Sequence, residues 1–356
     1  MRIARPLAAL VLLLPLPSAQ QRSAAPADAI DSIITAAMEA DGLPSVTLVV
    51  GRGGTIVKQA AYGLASVELR VPATLDTVYP IASATKSMTS TAVFLLVNDG
   101  RLALDDSIVD LLPELPEAWF EVTVRHLLTH TSGLPDVAIT PGREPLLAET
   151  RDEALAKLRE MPCSPPGSGW AYNQTNYLLL KMIVERRTGK PFQDFVRERL
   201  FAPLGLTATV FGDSEDVVPG RASMYERRDG VLHPRRSRFY DFMRAAAGVN
   251  TSALEWYRWA DAWAHGRILP REKLEELWSP AQLASGSAVK LGGTSSYGCG
   301  VALDVRAGHR SAGHSGGGTA AFCYFIDEDL LVVLLTNGTT DTDGLVERVA
   351  AAARSE

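Results

Sequence analysis

The most chemically pointed feature of this sequence is a serine hydroxyl followed, three positions later, by an amine. In Ser83-Ala84-Thr85-Lys86 the two functional residues share one face if the segment is helical. A serine hydroxyl is a weak nucleophile at neutral pH and needs a base within hydrogen-bond reach. Burial disfavours a charged ammonium and moves its pKa down toward the working range. At a helix start the macrodipole also favours a developing alkoxide. The spacing is nonetheless common: the chain holds a second copy, Ser287-Ala288-Val289-Lys290, among Gly and Ser residues with no helical run. A serine at a helix start is also an ordinary N-cap.

Two downstream segments single out the first copy. Pro166-Gly167-Ser168-Gly169-Trp170-Ala171-Tyr172-Asn173-Gln174-Thr175-Asn176-Tyr177 leads into a helical run, and His314-Ser315-Gly316-Gly317 ends a strand-like run. Taken together and in this order, they resemble the penicillin-recognising serine hydrolases. That family includes class C β-lactamases, DD-peptidases, D-aminopeptidases and related esterases. The resemblance extends over about residues 28–350 and includes His126 to Leu134 and Ala247-Gly248-Val249 as framework segments. It implies a β-lactamase/transpeptidase-like fold and a metal-free, cofactor-free reaction through an acyl-enzyme on Ser83. Lys86 would be the partner base and Tyr172 the proton relay to the leaving group and the deacylating water. The N–H groups of Ser83 and Gly317 would form the oxyanion hole, with Gln174, His314, Ser315 and Gly316 contacting substrate.

Two departures from the family pattern bear on substrate. Tyr-x-Asn appears here as Tyr172-Asn173-Gln174, whose amide is one methylene longer. The strand motif, often Lys-Thr-Gly, begins with His314, which attracts a carboxylate less than lysine does. Both point toward an esterase or peptidase acting on a small-molecule or peptide-like ester or amide. A DD-carboxypeptidase, a D-aminopeptidase, a class C-like β-lactamase and a non-catalytic penicillin-binding sensor are the alternatives. A zinc hydrolase built on His126 and His130 would lack its general base, because Leu127 follows His126.

The elements that must position these groups are legible as periodicities. Ile30, Ile33, Ile34, Ala37 and Met38 recur at helical spacing, with Gly42 placed to end the helix. Val46–Val50 and Thr55–Ala60 flank Arg52-Gly53-Gly54 as a hairpin. A helix is expected from Ser83 to about Asn98, followed by a mostly helical stretch to about 285. Strands are expected at Tyr297–Asp304, Arg310–His314, Ala321–Ile326 and Leu330–Thr336, then a helix over about Asp343–Ala353. The fold class is therefore α+β. Residues 28–82 and 288–354 form an antiparallel sheet flanked by helices, 83–287 form a helical lobe, and 28–354 make one catalytic domain. Tyr225 is expected to line the cleft or to pack, and the tryptophans at 256, 259, 263 and 278 to pack.

Composition is that of a globular protein, with 46% hydrophobic and 21% charged residues among 356 and a net charge of −6. The densest basic run, Arg235, Arg236 and Arg238, is short and lacks interleaved aromatics, which argues against a nucleic-acid partner. Arg2 and Arg5 followed by apolar Leu7–Leu16 and then Pro17-Ser18-Ala19 read as an export signal over residues 1–20. Cleavage is expected at about 19–25, leaving a periplasmic or secreted protein without a stable membrane anchor. Of the three cysteines, Cys299 and Cys323 lie in strand-like runs where one bridge is conceivable; three buried thiols is the favoured reading.

Overall fold

The computed structural model describes residues 28–138, 148–306 and 308–355. The expected export signal lies outside these residues. Helix α1 (Ala29–Asp41) starts where the Asp28 side chain accepts the N–H of Asp31 at 2.8 Å, and ends at Gly42 in the left-handed region. Strands β1 (Ser45–Arg52) and β2 (Thr55–Ser66) form the expected hairpin, whose tight turn needs positive φ at Gly53 and Gly54. Strand β3 (Val71–Pro72) borders β2.

The remaining strands of this sheet come from the other end of the chain. They are β4 (Ser296–Tyr297), β5 (Ala302–Arg306), β6 (His309–Gly316), β7 (Ala320–Phe325) and β8 (Leu330–Thr336). Their order is β3-β2-β1-β8-β7-β6-β5-β4, and β1 pairs β8 antiparallel with Val46 opposite Thr336 and Arg52 opposite Leu330. Strand β8 reads as an unbroken apolar run and is buried along its whole length, as a central strand covered on both faces should be. One face carries α1 and the terminal helix α5 (Thr342–Ser355), packed on Leu48, Val332 and Leu334.

The other face carries helix α4 (Ala253–Ala264), whose Trp256, Trp259 and Trp263 each pack on Phe322. The tryptophans are core, as expected. The chain between 83 and 287 thus gives the sheet one of its covering helices, so the division expected at 287 does not follow the packing. That stretch also contains β structure: Val249–Ser252 pairs with Val210–Phe211 and with Val78–Pro80 just before the stretch, and Tyr225–Arg228 pairs with Val231–Pro234. Tyr225 packs: it is buried, donates to the Glu68 carboxylate and accepts the N–H of Val67 at 2.8 Å.

Two other expectations are corrected. The strand expected at Tyr297–Asp304 is two strands, because residues 298–301 leave the ladder. There Cys299 N–H donates to Leu277 O at 3.0 Å and Gly300 N–H to Leu128 O at 3.1 Å. No disulfide joins Cys299 to Cys323: Cys299 belongs to the core on the α4 side, and Cys323 faces α1 and α5 across the sheet. The reading of three buried thiols also fails for Cys163, which is exposed.

Candidate active site

Helix α2 (Thr85–Asn98) is buried on all sides from Thr85 to Leu96, so it runs through the core rather than over it. It does not begin at Ser83 as expected. A single 3-10 turn over Ala82–Ala84 precedes it, and Ala82 adopts φ of +43°. An L-residue in that region costs about 1–3 kcal/mol, and such strain gathers at working sites. The residue before Ser83 is therefore held in an unfavourable conformation by its surroundings. Those include the end of β6: a Cβ built on Gly316 would lie 2.0 Å from Ile81 O and 3.0 Å from Ser83 N. Only a glycine lets β6 and the serine turn touch backbone to backbone.

Lys86 is wholly buried one turn after Ser83. Its Nζ donates to Gln174 Oε1 at 2.8 Å and to Ala246 O at 3.0 Å. It also lies 4.7 Å from the centroid of the Tyr172 ring and 5.1 Å from that of Tyr177. Burial pushes the ammonium down to about 7, with the charge of Asp136 opposing the shift. Gln174, read from sequence as a substrate contact, thus directs its side-chain oxygen at Lys86. The extra methylene does not prevent that reach.

Tyr172 Oη is buried without a closed hydrogen bond, and the hydroxyl it faces is that of Ser83. Burial raises its pKa, so the phenol stays protonated at neutral pH. The loop bearing it is tied down by buried amides that sequence reading passed over. His130 Nδ1 accepts from Asn173 N–H and from Asn176 Nδ2, both at 3.1 Å, while Asn176 Oδ1 accepts from Ser132 Oγ at 2.6 Å. Asn173 Nδ2 donates to Leu134 O at 2.6 Å, and Asp136 Oδ1 accepts the N–H of Gln174 at 3.0 Å. His130, expected to be framework, is the hub of this network. Its two Nδ1 partners are donors, which places its proton on Nε2. The available signal was the cluster of short polar residues from Thr129 to Ser132, all buried here.

His314 sits near the end of β6, with its ring 6.4 Å from that of Tyr172. Its Nδ1–H donates to Ser315 O at 2.6 Å, and Nε2 accepts from Tyr297 Oη at 3.1 Å. Burial, reinforced by Lys86, pushes its pKa down to about 4, so the ring is neutral. Ser315 is half-buried, and Gly317 follows in the left-handed region, where a Cβ would lie 3.5 Å from that of Ala82. Ser83, Lys86, Tyr172, Gln174, His314 and Gly316–Gly317 therefore converge on one place. The second pair does not join them: Ser287 and Lys290 are exposed in a loop. Nor do His126 and His130 face a common point, since His126 Nδ1 accepts the Thr123 N–H at 3.2 Å as part of a helix cap.

The chain is similar to several known proteins. The family model described as Beta-lactamase matches residues 30–355. The chain is 25% identical over 328 residues to a penicillin-binding protein of Bacillus subtilis (strain 168), covering 83% of this chain and 69% of that one. It is 34% identical over 229 residues to esterase EstB of Burkholderia gladioli, covering 58% of each. Among solved structures, the D-amino acid amidase of Ochrobactrum anthropi SV3 superposes with a TM-score of 0.77 at 27% identity, covering 92% of this chain and 99% of that one.

Proposed function

The chain belongs to the β-lactamase family and is a serine hydrolase of it, and from that premise we propose that it cleaves esters through an acyl-enzyme on Ser83. The observation that carries this reading is the state of Lys86. A neutral amine has two hydrogens, and Gln174 Oε1 and Ala246 O accept both. Its lone pair is left to take the proton from Ser83, one turn back. Ser83 Oγ then bonds to the carbonyl carbon, and the oxyanion is held by the N–H groups of Ser83 and Gly317. Tyr172 passes a proton to the departing oxygen and later draws one from the water that frees Ser83.

The neutral, doubly engaged His314 favours a substrate without a carboxylate on its leaving group. That choice separates an esterase from a DD-carboxypeptidase or a dedicated β-lactamase. Hydrolysis of D-amino-acid amides is a second reading, supported by the end-to-end likeness to the D-amino acid amidase. Export is proposed from the basic and apolar start of the chain. The test is rapid acid quenching during turnover of a p-nitrophenyl ester, followed by peptide mass spectrometry. An acyl mass on the peptide containing Ser83, absent in Ser83→Ala, is expected; turnover surviving in Ser83→Ala defeats the assignment.

The pH profile follows from the same lysine. With Lys86 as base, kcat/KM rises with pH through an apparent pKa of about 7 and then levels off. Among the other groups at the site, His314 loses its proton near 4, burial keeps His130 neutral and Tyr172 and Tyr177 protonated, and burial raises the Asp136 carboxyl. A profile flat from pH 5 to 9 would remove Lys86 from the base role, about two units on either side of that pKa.

A further inference from the structure

The basic run at Arg235 and Arg236 takes no part in the reaction above, yet it borders the site. A Cβ on Gly317 would lie 3.7 Å from Arg235 Nη2, and Arg235 Nη1 lies 3.5 Å from Gly317 O and donates to Thr339 Oγ1 at 3.2 Å. Arg235 and Arg236 line a cavity of about 360 Å³ that begins at Ala82 and Thr319. This volume is in the range of small-molecule sites. Ala82 directly precedes Ser83, and Thr319 closes the turn after Gly316. The cavity therefore starts at the wall behind Ser83, and neither Tyr172 nor His314 lines it. An ester carbonyl bonded to Ser83 sends its leaving group toward Tyr172, so its acyl substituent points the other way.

The charges of this cavity do not cancel. Of its two carboxylates, Asp213 accepts the N–H groups of Glu215 and Phe239, each at 2.8 Å, and Glu68 accepts the Tyr225 hydroxyl. Arg221 donates to the backbone carbonyls of Asp213 and Asp216. No carboxylate among the described residues pairs with Arg235 or Arg236. The wall is mixed, with Pro80, Ala222, Met224 and Phe239 beside polar groups. Asn250 is only 1% exposed and its Nδ2 is fixed on Gly212 O at 2.8 Å, but its Oδ1 has no partner among the described residues. Ser214 Oγ is likewise buried and unpartnered there. Buried polar atoms of this kind are normally satisfied; the Ser214 hydroxyl can donate to an anion, whereas Asn250 Oδ1 only accepts.

Resting on the acyl-enzyme reading, we propose that this cavity is the acyl subsite and selects acyl groups that carry a carboxylate, held by Arg235. The polarity is then split across Ser83: a neutral leaving group on the His314 side, an anionic acyl group on the arginine side. With monomethyl glutarate, the Ser83 Oγ–carbonyl bond forms as the carbonyl–methoxy bond breaks. Methanol leaves with the relayed proton, and water then cleaves the acyl-enzyme to glutarate and free Ser83.

The experiment compares monomethyl glutarate with methyl valerate, in which a methyl replaces the carboxylate, in the full chain by chromatography of the released acid. Wild type is expected to prefer the hemiester in kcat/KM by about tenfold or more, the size of a hydrogen bond to a charged group. High salt should shrink the preference. Arg235→Gln should bring the ratio of the two substrates near one, and Arg235→Lys should restore part of it. Equal use of the two substrates by wild type, or a preference that Arg235→Gln leaves intact, overturns the inference. Absence of Ser83-dependent turnover of methyl valerate instead defeats the acyl-enzyme reading on which it rests.

Discussion

With methionine at position 86, kcat/KM for a p-nitrophenyl ester is expected to fall by about a thousandfold or more, while the protein melts no lower than wild type at pH 6. The activity loss follows from removing the base one turn from Ser83, since a positioned general base contributes about 10²–10⁴-fold. The stability result has a separate cause. Lys86 is wholly buried, and replacing a buried charge by a well-packed apolar chain is often neutral or stabilising by about 1–4 kcal/mol. Methionine leaves Gln174 Oε1 and Ala246 O without their donor, which limits the gain.

The sign of the pH dependence distinguishes these contributions. Below pH 7 the folded and unfolded wild-type chains both carry the proton, and the cost of burying the ammonium is felt in full. Between about 7 and the ordinary 10.5, the folded chain has lost the proton and the unfolded chain keeps it, so wild-type stability climbs with pH. The advantage of Lys86→Met is therefore expected to be largest below pH 7 and to shrink above it. Thermal unfolding from pH 5 to 9.5 reads this directly. An advantage that grows with pH, or a variant retaining a tenth of wild-type turnover, contradicts the role given to Lys86, since a tenfold loss is only about 1.4 kcal/mol of barrier.

Gly316→Ala is expected to lower kcat by about 10²–10³-fold, the usual effect of losing one oxyanion donor. The added methyl would sit 2.0 Å from Ile81 O, a backbone atom that cannot rotate away, so β6 and the serine turn must separate. Overpacking of this kind costs about 1–3 kcal/mol of stability, within what a folded domain tolerates. Gly317→Ala is the informative comparison. Its methyl would meet the Cβ of Ala82 at 3.5 Å and Arg235 Nη2 at 3.7 Å, both ordinary contacts, and the strain comes from φ of +58°. Both variants should retain the wild-type circular dichroism spectrum, with the larger kcat loss at 316. Equal and small losses would mean that the backbone contact does not position Ser83.

The strongest local signals in the sequence survived folding with little change. Helix α1 occupies Ala29–Asp41 because Asp28 and Gly42 supply its caps, and the Gly53-Gly54 turn fixes the β1–β2 hairpin. Strand β8 matches the apolar run Leu330–Thr336 residue for residue. Where neighbours from elsewhere in the chain compete, local pattern failed. Residues 298–301 read as strand, but Cys299 and Gly300 give their N–H groups to Leu277 and Leu128. Ala82 has no local reason to adopt a positive φ; the wall formed by β6 imposes it.

Ser83 and Lys86 are three residues apart, so helical geometry alone brings them together, and the sequence by itself determined that pairing. The family resemblance added Tyr172 and His314 as residue types. Only the tertiary structure decided their condition, because protonation and partners depend on groups distant in the chain. Burial, opposed by the charge of Asp136, brings Lys86 to about 7, while carbonyl oxygens of Gln174 and Ala246 fix its amine. Burial beside Lys86 keeps the His314 ring neutral, and Tyr297, seventeen positions before it, holds its Nε2. The short run at Arg235 and Arg236 reads in sequence as a basic patch too small for nucleic acid. Packing beside Gly317 and Ala82 makes it the wall of a cavity behind Ser83, since which surface a charge faces is set by the fold and not by its neighbours in sequence.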